Sequence, residues 1–291
     1  MRIGIFTASF TGNNEHMAQQ IEKKLIQLDN SLIIEHQSLQ KLSNSLIRQQ
    51  FQVPDYDAYV IGCWSGALVP PPFVADVIRQ LNLANKFVLT FNCHGGDGGL
   101  VQAKLFKLIS SKNGKWVDHI AMKYCNNYPG LTYPKDDLHV QGIKSAPLQQ
   151  IEPAVTYFHQ VLTNQTVFDP MKLSKSQIVG NCLCGGLFEA VSKKMGKAGK
   201  PSKFQIQDNC VGCGTCVENC PMACIELVGG RAVFTHKERC VGCFGCFQVC
   251  PQKAVLDSDR KLANVPQYRF NENQLGDSDK FFLKTDLEKR E

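Results

Sequence analysis

The chain has 291 residues, 14 of them cysteines, and its 32 basic and 26 acidic side chains give a formal charge of +6. This length accommodates two domains, while so small a positive excess gives no case for binding nucleic acid. Because no apolar run approaches the roughly 18 residues of a membrane span and the apolar start is too short for a signal peptide, we expect a soluble, cytoplasmic protein with reduced thiols.

The first predicted element is a buried strand from Arg2 to Phe6, which leads into a hydroxyl-rich turn and then a helix. The turn reads Thr7-Ala8-Ser9-Phe10-Thr11-Gly12-Asn13-Asn14-Glu15. The helix has one apolar face, formed by Met17, Ile21, Leu25 and Leu28. A strand, a polar turn and a helix in succession bind phosphate in open α/β sheets, since free amides and the positive end of the helix dipole point at the anion. An ordinary N-capping turn is the alternative.

Four more strands are predicted, at Leu32 to His36, Ala58 to Gly62, Phe87 to Phe91 and Trp116 to Tyr124. Helices are predicted from Phe73, through Leu105, Leu108 and Ile109, and from Pro153 to Leu162. Strands that alternate with helices predict a parallel, doubly wound sheet. Ligands of such sheets lie at the carboxyl ends of the strands, where we expect the loops that begin at Thr7, Cys63 and Asn92 to meet.

The first of these loops resembles the FMN-phosphate loop of flavodoxins, whose pattern is roughly T/S-x-S/T-x-T-G-N-T-E. The resemblance implies phosphate contacts from the hydroxyls of Ser9 and Thr11 and from backbone amides between Phe10 and Asn14. Asn14 departs from the pattern, which usually has threonine there, although an amide can still donate to phosphate. The cofactor-binding residues expected in this loop are Thr7, Ser9, Phe10, Thr11, Gly12, Asn13 and Asn14.

The same resemblance implies that the second and third loops flank the flavin ring. Their candidate residues are Cys63, Trp64, Ser65, Gly66, Asn92, Cys93, His94, Gly95 and Gly96. Trp64 is interpreted either as a side chain stacked on the flavin or as core, and His94 either as a group that adjusts flavin protonation or as a solvated histidine. Cys93 is expected to be inert, because no base beside it suggests a nucleophile.

Residues 166–203 are predicted to form a basic linker. From Met171 to Lys203, seven lysines accompany a single acidic residue, Glu189. Two interpretations stay open: a solvated linker, and a docking surface for an acidic redox partner that such charge would steer. Cys182 and Cys184 are separated by one residue, Leu183. In an extended chain they would point to opposite faces, so a third cluster would need other cysteines, such as Cys125.

A cysteine repeat with a 30-residue period dominates the C-terminal part. It reads Cys210-x-x-Cys213-x-x-Cys216-x-x-x-Cys220-Pro221 and then Cys240-x-x-Cys243-x-x-Cys246-x-x-x-Cys250-Pro251. In the bacterial ferredoxin pattern three cysteines hold one 4Fe–4S cluster and the fourth crosses to the other. The first cluster is then assigned to Cys210, Cys213, Cys216 and Cys250, and the second to Cys240, Cys243, Cys246 and Cys220. Zinc and disulfides are the alternatives.

Both halves together, with Asn126-Asn127-Tyr128-Pro129 after the fifth strand, resemble the fused flavodoxin–ferredoxin (EFR-type) family. The resemblance implies a flavodoxin-like, doubly wound, parallel five-stranded α/β sheet plus a small α+β ferredoxin domain with two clusters. The expected boundaries are an FMN-binding domain at 1–165, the linker at 166–203, the ferredoxin domain at 204–258 and a charged tail at 259–291.

The family resemblance implies an electron carrier that relays low-potential electrons between two 4Fe–4S clusters, FMN and a redox partner protein. A flavin-dependent reductase of a small molecule such as a quinone stays open, as does a ferredoxin with a flavin-free docking domain. The sequence has no GxGxxG for NAD(P)H and no paired acids placed for proton transfer. We therefore predict no catalytic residue, and a carrier is favoured over an FMN and iron–sulfur oxidoreductase.

Overall fold

The N-terminal half is built on a parallel sheet. The computed structural model describes residues 1–66, 68–95, 98–124, 129, 147–168, 204–258, 261–265 and 267. The sheet has five strands: β1 (Arg2–Thr7), β2 (Ile33–Ser38), β3 (Ala58–Trp64), β4 (Phe87–His94) and β5 (Lys115–Lys123). All pairs are parallel and their order is β2-β1-β3-β4-β5. This is the flavodoxin-like order of doubly wound sheets, so the predicted fold class is confirmed.

Helices cover both faces of the sheet. They are α1 (Asn13–Leu28), α2 (Leu39–Ile47), α3 (Pro72–Gln80), α4 (Val101–Ser111) and α5 (Pro147–Leu162). Helices α1 and α5 share one core cluster with Ile5 and Leu89, while α2, α3 and α4 share the other with Phe6 and Ile61. The alternation of strand and helix places one apolar helix face against each side of the sheet.

Helix α2 is the element of the N-terminal half that the sequence analysis did not predict. Its N-terminus is capped by Ser38, whose Oγ accepts a hydrogen bond from the Lys41 backbone N–H at 3.3 Å. Only Leu39 and Leu42 bury apolar side chains in its first turns, and the buried residues beside them are the polar Gln40, Ser43 and Asn44. The apolar pattern is therefore weak, because part of the buried face of this helix is polar.

The C-terminal half is a small α+β unit. Its strands are β6 (Phe204–Ile206), β7 (Ile225–Val228), β8 (Arg231–Phe234) and β9 (Val255–Asp257), with β6 antiparallel to β9 and β7 antiparallel to β8. Two short helices, α6 (Thr215–Glu218) and α7 (Gly245–Val249), follow equivalent cysteines of the repeat. The sequence repeat is therefore also a structural repeat.

Several predictions concern residues outside the described ranges. They include Gly96, Cys125, the Asn126 to Tyr128 stretch, Cys182, Cys184 and nearly all of the 166–203 linker. Of the predicted tail, a short 3-10 helix (Lys261–Asn264) is described, and its Leu262 is buried in the cysteine-rich core. Among the described residues, no helix is both long and apolar enough to traverse a lipid bilayer.

Candidate functional site

The three predicted loops meet at one edge of the sheet. In the register of the parallel strands Thr7 is opposite Gly62, and Cys63 is opposite Asn92. The carboxyl ends of β1, β3 and β4 therefore lie side by side, as the sequence analysis expected. Strand β3 has no room for a side chain at Gly62, because a Cβ there would stand 1.9 Å from the ring of Phe91.

The first loop is held by α2 on one side and by α1 on the other. Gln40 grips Ser9 through two hydrogen bonds: its Oε1 accepts from the Ser9 backbone N–H at 3.3 Å, and its Nε2 donates to the Ser9 carbonyl at 2.8 Å. The Gly12 N–H donates to Ser9 Oγ at 3.1 Å. Gly12 precedes α1 with a φ of 99°, a conformation that favours glycine. The loop thus turns sharply into a 16-residue helix, and a helix N-terminus of this kind is suited to an anion.

The side chain of Asn14 forms hydrogen bonds with the protein backbone and does not face the open side of the first loop. Its side chain is buried; Nδ2 donates to the Ala8 carbonyl at 3.0 Å, and Oδ1 accepts from the Cys93 backbone N–H at 3.1 Å. This pair of bonds ties the first loop to the end of β4. Threonine, the usual residue of the flavodoxin pattern, has a single hydroxyl, whereas the asparagine amide offers a donor and an acceptor to two separate backbone groups.

Trp64 stands in a row of aromatic rings. Its ring centroid lies 5.0 Å from that of Phe10 and 5.6 Å from that of Phe73. Trp64 itself remains half-buried, so part of the indole is available to a ligand. Beyond it, Ser65 Oγ donates to the Gly98 carbonyl at 3.3 Å and fastens the second loop to the third.

The third loop contains a buried amide with an unused donor. Asn92 is 1% exposed, its Oδ1 lies 2.7 Å from His119 Nε2, and its Nδ2 has no hydrogen-bond partner among the described residues. An orphaned buried donor costs about 1–3 kcal/mol, which a ligand acceptor at this point would offset. Gly98 packs close to this donor, since a Cβ there would lie 3.3 Å from Asn92 Nδ2. This donor is the observation that fits a heteroaromatic cofactor between the loops.

Behind Asn92 runs a polar chain that the sequence analysis missed. Trp116 Nε1 donates to Thr90 Oγ1 at 2.8 Å, and Thr90 Oγ1 lies 2.8 Å from His119 Nδ1. Burial lowers the pKa of His119 to about 3, so the ring is neutral. With Asn92 Oδ1 facing it, the neutral ring carries its proton on Nε2 and donates it to Asn92. The Thr90 hydroxyl lies within reach of both His119 Nδ1 and the Asp118 carbonyl, the latter at 3.2 Å. In this arrangement His119 holds the Asn92 oxygen and leaves the Asn92 Nδ2 donor unused.

The remaining loop candidates have simpler surroundings. His94 ends β4, and its carbonyl accepts from the Tyr124 N–H at 2.8 Å. Burial raises the pKa of the Cys63 thiol to about 12 and that of Cys93 well above its usual value. Both thiols are therefore protonated near neutral pH, which makes them poor nucleophiles.

Four thiols of the repeat converge on one cavity. Cys210, Cys213, Cys216 and Cys250 line it together with Ile206 and Ala232. The fourth cysteine comes from the second repeat, which is the crossed arrangement that the sequence analysis predicted. Cys213 is exposed, while Cys216 and Cys250 are buried. Burial and the three neighbouring thiolates raise the pKa of Cys216 to about 11, so a cationic centre among them would suit the ionised form.

Cys220 is correspondingly grouped with the second triad. Burial, together with the charges of Cys220 and Cys240, raises the pKa of Cys243 to about 12. The two crossing cysteines also share one feature: Cys220 Sγ accepts from the Cys224 N–H at 3.3 Å, and Cys250 Sγ accepts from the Ala254 N–H at 3.2 Å. Amide hydrogen bonds to sulfur are characteristic of iron–sulfur thiolates, whose potential they adjust. The donor set of both groups fits a 4Fe–4S cluster.

Cys224 is a buried ninth cysteine beside the second group. Hydrogen bonds to the sulfurs of Cys220 and Cys240 raise its pKa, which favours the neutral thiol, and its own N–H donates to the Cys220 sulfur. Within the described ranges, no three His, Cys, Asp or Glu side chains converge on the position of a single metal ion. In a cubane each thiolate binds a different iron atom, so the expected spacing of the sulfurs is wider than around one ion.

The two halves touch through α2 and through the first loop. Ser43 Oγ donates to the Pro221 carbonyl at 2.6 Å, and Asn44 Nδ2 donates to the carbonyls of Val217 at 2.9 Å and Cys220 at 2.7 Å. Arg48 NH2 donates to the Ile225 carbonyl at 3.2 Å. Sequence reasoning missed all of these donors. Only the burial of three polar residues on a short helix could have signalled them, and burial is not visible in a sequence.

Phe10 of the first loop packs on Gly245, in the segment that carries the second cysteine triad. A Cβ on Gly245, which lies between Cys243 and Cys246, would stand 2.6 Å from ring atoms of Phe10. Ion pairs flank this interface, Lys41 with Glu218 at 3.6 Å and Arg48 with Glu226 at 3.9 Å. These exposed pairs add little stability. The interface depends instead on buried hydrogen bonds and on the contact of Phe10 with the cysteine loop.

Comparison with known proteins separates the two halves. A family model described as a 4Fe-4S dicluster domain matches residues 209–255. A Streptococcus pneumoniae flavodoxin is 15% identical with a TM-score of 0.38, over 57% of this chain and 100% of its own. An oxidoreductase from Corynebacterium diphtheriae is 11% identical with a TM-score of 0.43, over 57% and 98%. Rubredoxin oxygen:oxidoreductase from Desulfovibrio gigas is 16% identical with a TM-score of 0.40, over 56% and 36%. No curated protein matches the chain.

Proposed function

We propose that this chain, which joins a flavodoxin-like half to a 4Fe-4S dicluster domain, relays electrons between two 4Fe–4S clusters, an FMN and an external redox partner. The pairing of these two folds supports a redox, electron-transfer role. The observation that carries the proposal is the contact of Phe10 with Gly245, because it brings the loop expected to hold the flavin phosphate against a triad of cluster cysteines.

In this proposal the first loop holds the FMN phosphate. The hydroxyls of Ser9 and Thr11 and the amides at the start of α1 are its donors, and the helix terminus favours the negative charge. The half-buried Trp64 and the third loop would hold the flavin ring, and Asn92 Nδ2 would supply a hydrogen-bond donor to it. When bound, FMN supplies the ability to accept two electrons together and release them singly.

The cysteine groups hold the clusters, as proposed from their spacing. The first group is Cys210, Cys213, Cys216 and Cys250, and the second is Cys220, Cys240, Cys243 and Cys246. The protein contributes the burial of the thiolates and the amide hydrogen bonds from Cys224 and Ala254 to the crossing sulfurs, both of which adjust cluster potential.

The test is cofactor analysis of the anaerobically purified full chain. We expect about eight irons, about eight acid-labile sulfides and one FMN per chain. Ser9→Ala with Thr11→Val removes two proposed phosphate donors, so this double variant should lose most of its flavin and keep its iron. Iron without flavin in the unmodified chain would support a ferredoxin with a flavin-free docking domain, and neither cofactor after reconstitution would refute the proposal.

A further inference from the structure

We propose that α2 of the flavodoxin-like half supplies a part of the ferredoxin half, and that this part makes the cluster of Cys220, Cys240, Cys243 and Cys246 the inner one, facing the flavin. The cluster of Cys210, Cys213, Cys216 and Cys250 is then the outer one, which meets the external partner. This inference rests on the proposed function for its cofactors, and on the interface alone for the role of α2.

The first step is a symmetry between two amide side chains. Asn44 Nδ2 donates to the carbonyls of Val217 and Cys220 at 2.9 and 2.7 Å. Gln267 Nε2 donates to the carbonyls of Phe247 and Cys250 at 2.5 and 2.9 Å. The accepting residues are equivalent, since Val217 and Phe247, like Cys220 and Cys250, are separated by the 30-residue period of the repeat. One amide therefore performs the same task in each repeat.

The task is to add a second hydrogen bond to carbonyls at the ends of α6 and α7. The carbonyls of Val217, Cys220 and Cys250 also accept from the backbone N–H groups of Cys220, Ala223 and Lys253, at 3.4, 3.1 and 3.2 Å. Every helix leaves its last carbonyls without partners inside the helix, and here those carbonyls precede or belong to the crossing cysteines. A side-chain amide has two N–H groups and can donate to two carbonyls at once. Asn44 is oriented for this because Arg48 Nε donates to its Oδ1 at 2.9 Å, which leaves Nδ2 to the carbonyls.

The two amides differ in where they come from. Gln267 follows β9 in the C-terminal half itself, whereas Asn44 belongs to α2 on the other side of the interface. Ser43 and Arg48 add hydrogen bonds to the carbonyls of Pro221 and Ile225, which both follow the same crossing cysteine. The surroundings of Cys220 are therefore completed by the flavodoxin-like half, and those of Cys250 by the ferredoxin half.

The opposite side of the ferredoxin half is open. Cys213 of the first group is exposed, and Val211 beside it is 63% exposed. Gly212 packs on the β7–β8 turn, where Val228 is 54% exposed. A partner protein can approach the first group from solvent, while Phe10 covers the loop of Cys243 and Cys246. Electrons would therefore enter or leave at the first cluster and pass the second on the way to the flavin.

The test compares Asn44→Leu with Gln267→Leu in the full chain carrying its clusters. Two quantities are measured: the paramagnetically shifted NMR signals of the ligating cysteines, assigned residue by residue, and the midpoint potential of each cluster. Removing an amide donor withdraws positive potential from the nearby cluster, so its midpoint should fall. We expect Asn44→Leu to move only the signals and potential of the Cys220 group, and Gln267→Leu only those of the Cys250 group. Lys41→Ala, which loses an exposed ion pair, should move neither.

Movement of the same group by both variants, or of neither group by Asn44→Leu, would overturn the assignment. Ser43→Ala provides a milder second variant if Asn44→Leu loses iron, because it removes one hydrogen bond and keeps the Asn44 amide; its effect should again be confined to the Cys220 group. Titration of the flavin-free chain with FMN should shift the signals of Cys243 and Cys246 by more than those of Cys210 and Cys213. A chain that binds no FMN would refute the proposed function, while the two amide variants would still decide the role of α2.

Discussion

The ring of Phe10 lies on the backbone of Gly245, so closely that a Cβ there would stand 2.6 Å from Phe10 Cε1 and Cζ. Phe10 belongs to the loop that leaves β1, and Gly245 is the first residue of α7. Glycine at this position is therefore a requirement of the contact between the halves. Its backbone φ lies outside the left-handed region that would favour glycine for conformational reasons.

Gly245→Val tests this contact. The added side chain must displace the Phe10 ring, and overpacking of this kind costs about 1–3 kcal/mol. We expect less protection of the α2 amides in hydrogen exchange, because the interface opens more often. The control is the double variant Phe10→Ala with Gly245→Val, in which the obstructing ring is absent. A penalty that is equal with and without Phe10 would contradict the proposed contact.

Gly212→Ala should damage the first cluster selectively. Gly212 has a φ of 66°, and a Cβ there would lie 1.9 Å from the Gly230 carbonyl oxygen. Since Gly212 lies between Cys210 and Cys213, we expect the iron content to fall to about half of that of the unmodified chain. Gly229→Ala is a matched control, because Gly229 has a φ of 56° with nothing within 4 Å of the added carbon. Equal iron loss in both variants would mean that backbone strain, rather than the clash, is responsible.

Asn14→Thr brings the first loop closer to the flavodoxin pattern and should nevertheless weaken FMN binding. The substitution removes the two buried hydrogen bonds to Ala8 and Cys93, which hold this loop beside β4. If the loss of these bonds weakens the free energy of FMN binding by about 1–2 kcal/mol, the dissociation constant for FMN should rise roughly 5- to 30-fold. Flavin titration by absorbance measures it. Tighter binding than in the unmodified chain would instead assign residue 14 to the phosphate.

His119 should make the sheet less stable in mild acid. Its folded pKa of about 3 lies below the ordinary value of 6.5, so between these values the unfolded state binds more protons and stability falls as the pH falls. At pH 5.5 the loss relative to neutral pH should be about 1 kcal/mol. Hydrogen exchange of the β4 and β5 amides at pH 5.5 and 7.5 measures it against His119→Gln, which lacks the titrating group. Identical pH profiles for the two chains would rule out this account.

Sequence patterns were sufficient for the central strands of the sheet because these are almost entirely apolar. Residues 58–63 are all buried, and such continuous runs between polar loops are recognisable without a structure. The closing helix was harder to delimit: the structure begins it at Pro147, six residues before the predicted Pro153, because a proline inside a helix resembles a helix start.

The cysteine pattern was equally easy to recognise in the sequence, because cluster ligation fixes the spacing of the cysteines. The interface between the two halves could not be predicted from the sequence. Ser43, Asn44 and Arg48 act on backbone carbonyls, and a carbonyl leaves no trace in the identity of the residue that bears it. Asn14 shows the same limit within one loop: its departure from the flavodoxin pattern was visible, whereas its two backbone partners depend on how β4 packs beside the loop.

The position of Asn44 also bears on how such a chain can be divided or recombined. A fragment that starts at Phe204 would contain every proposed ligand cysteine and would still leave two carbonyls at the end of α6 without their amide. Fusion of that fragment to another flavodoxin would restore the capping only if the new partner carried an amide at the equivalent point of its second helix. The two halves are therefore not interchangeable modules, and substitutions in α2 constrain those that the first cysteine repeat can accept.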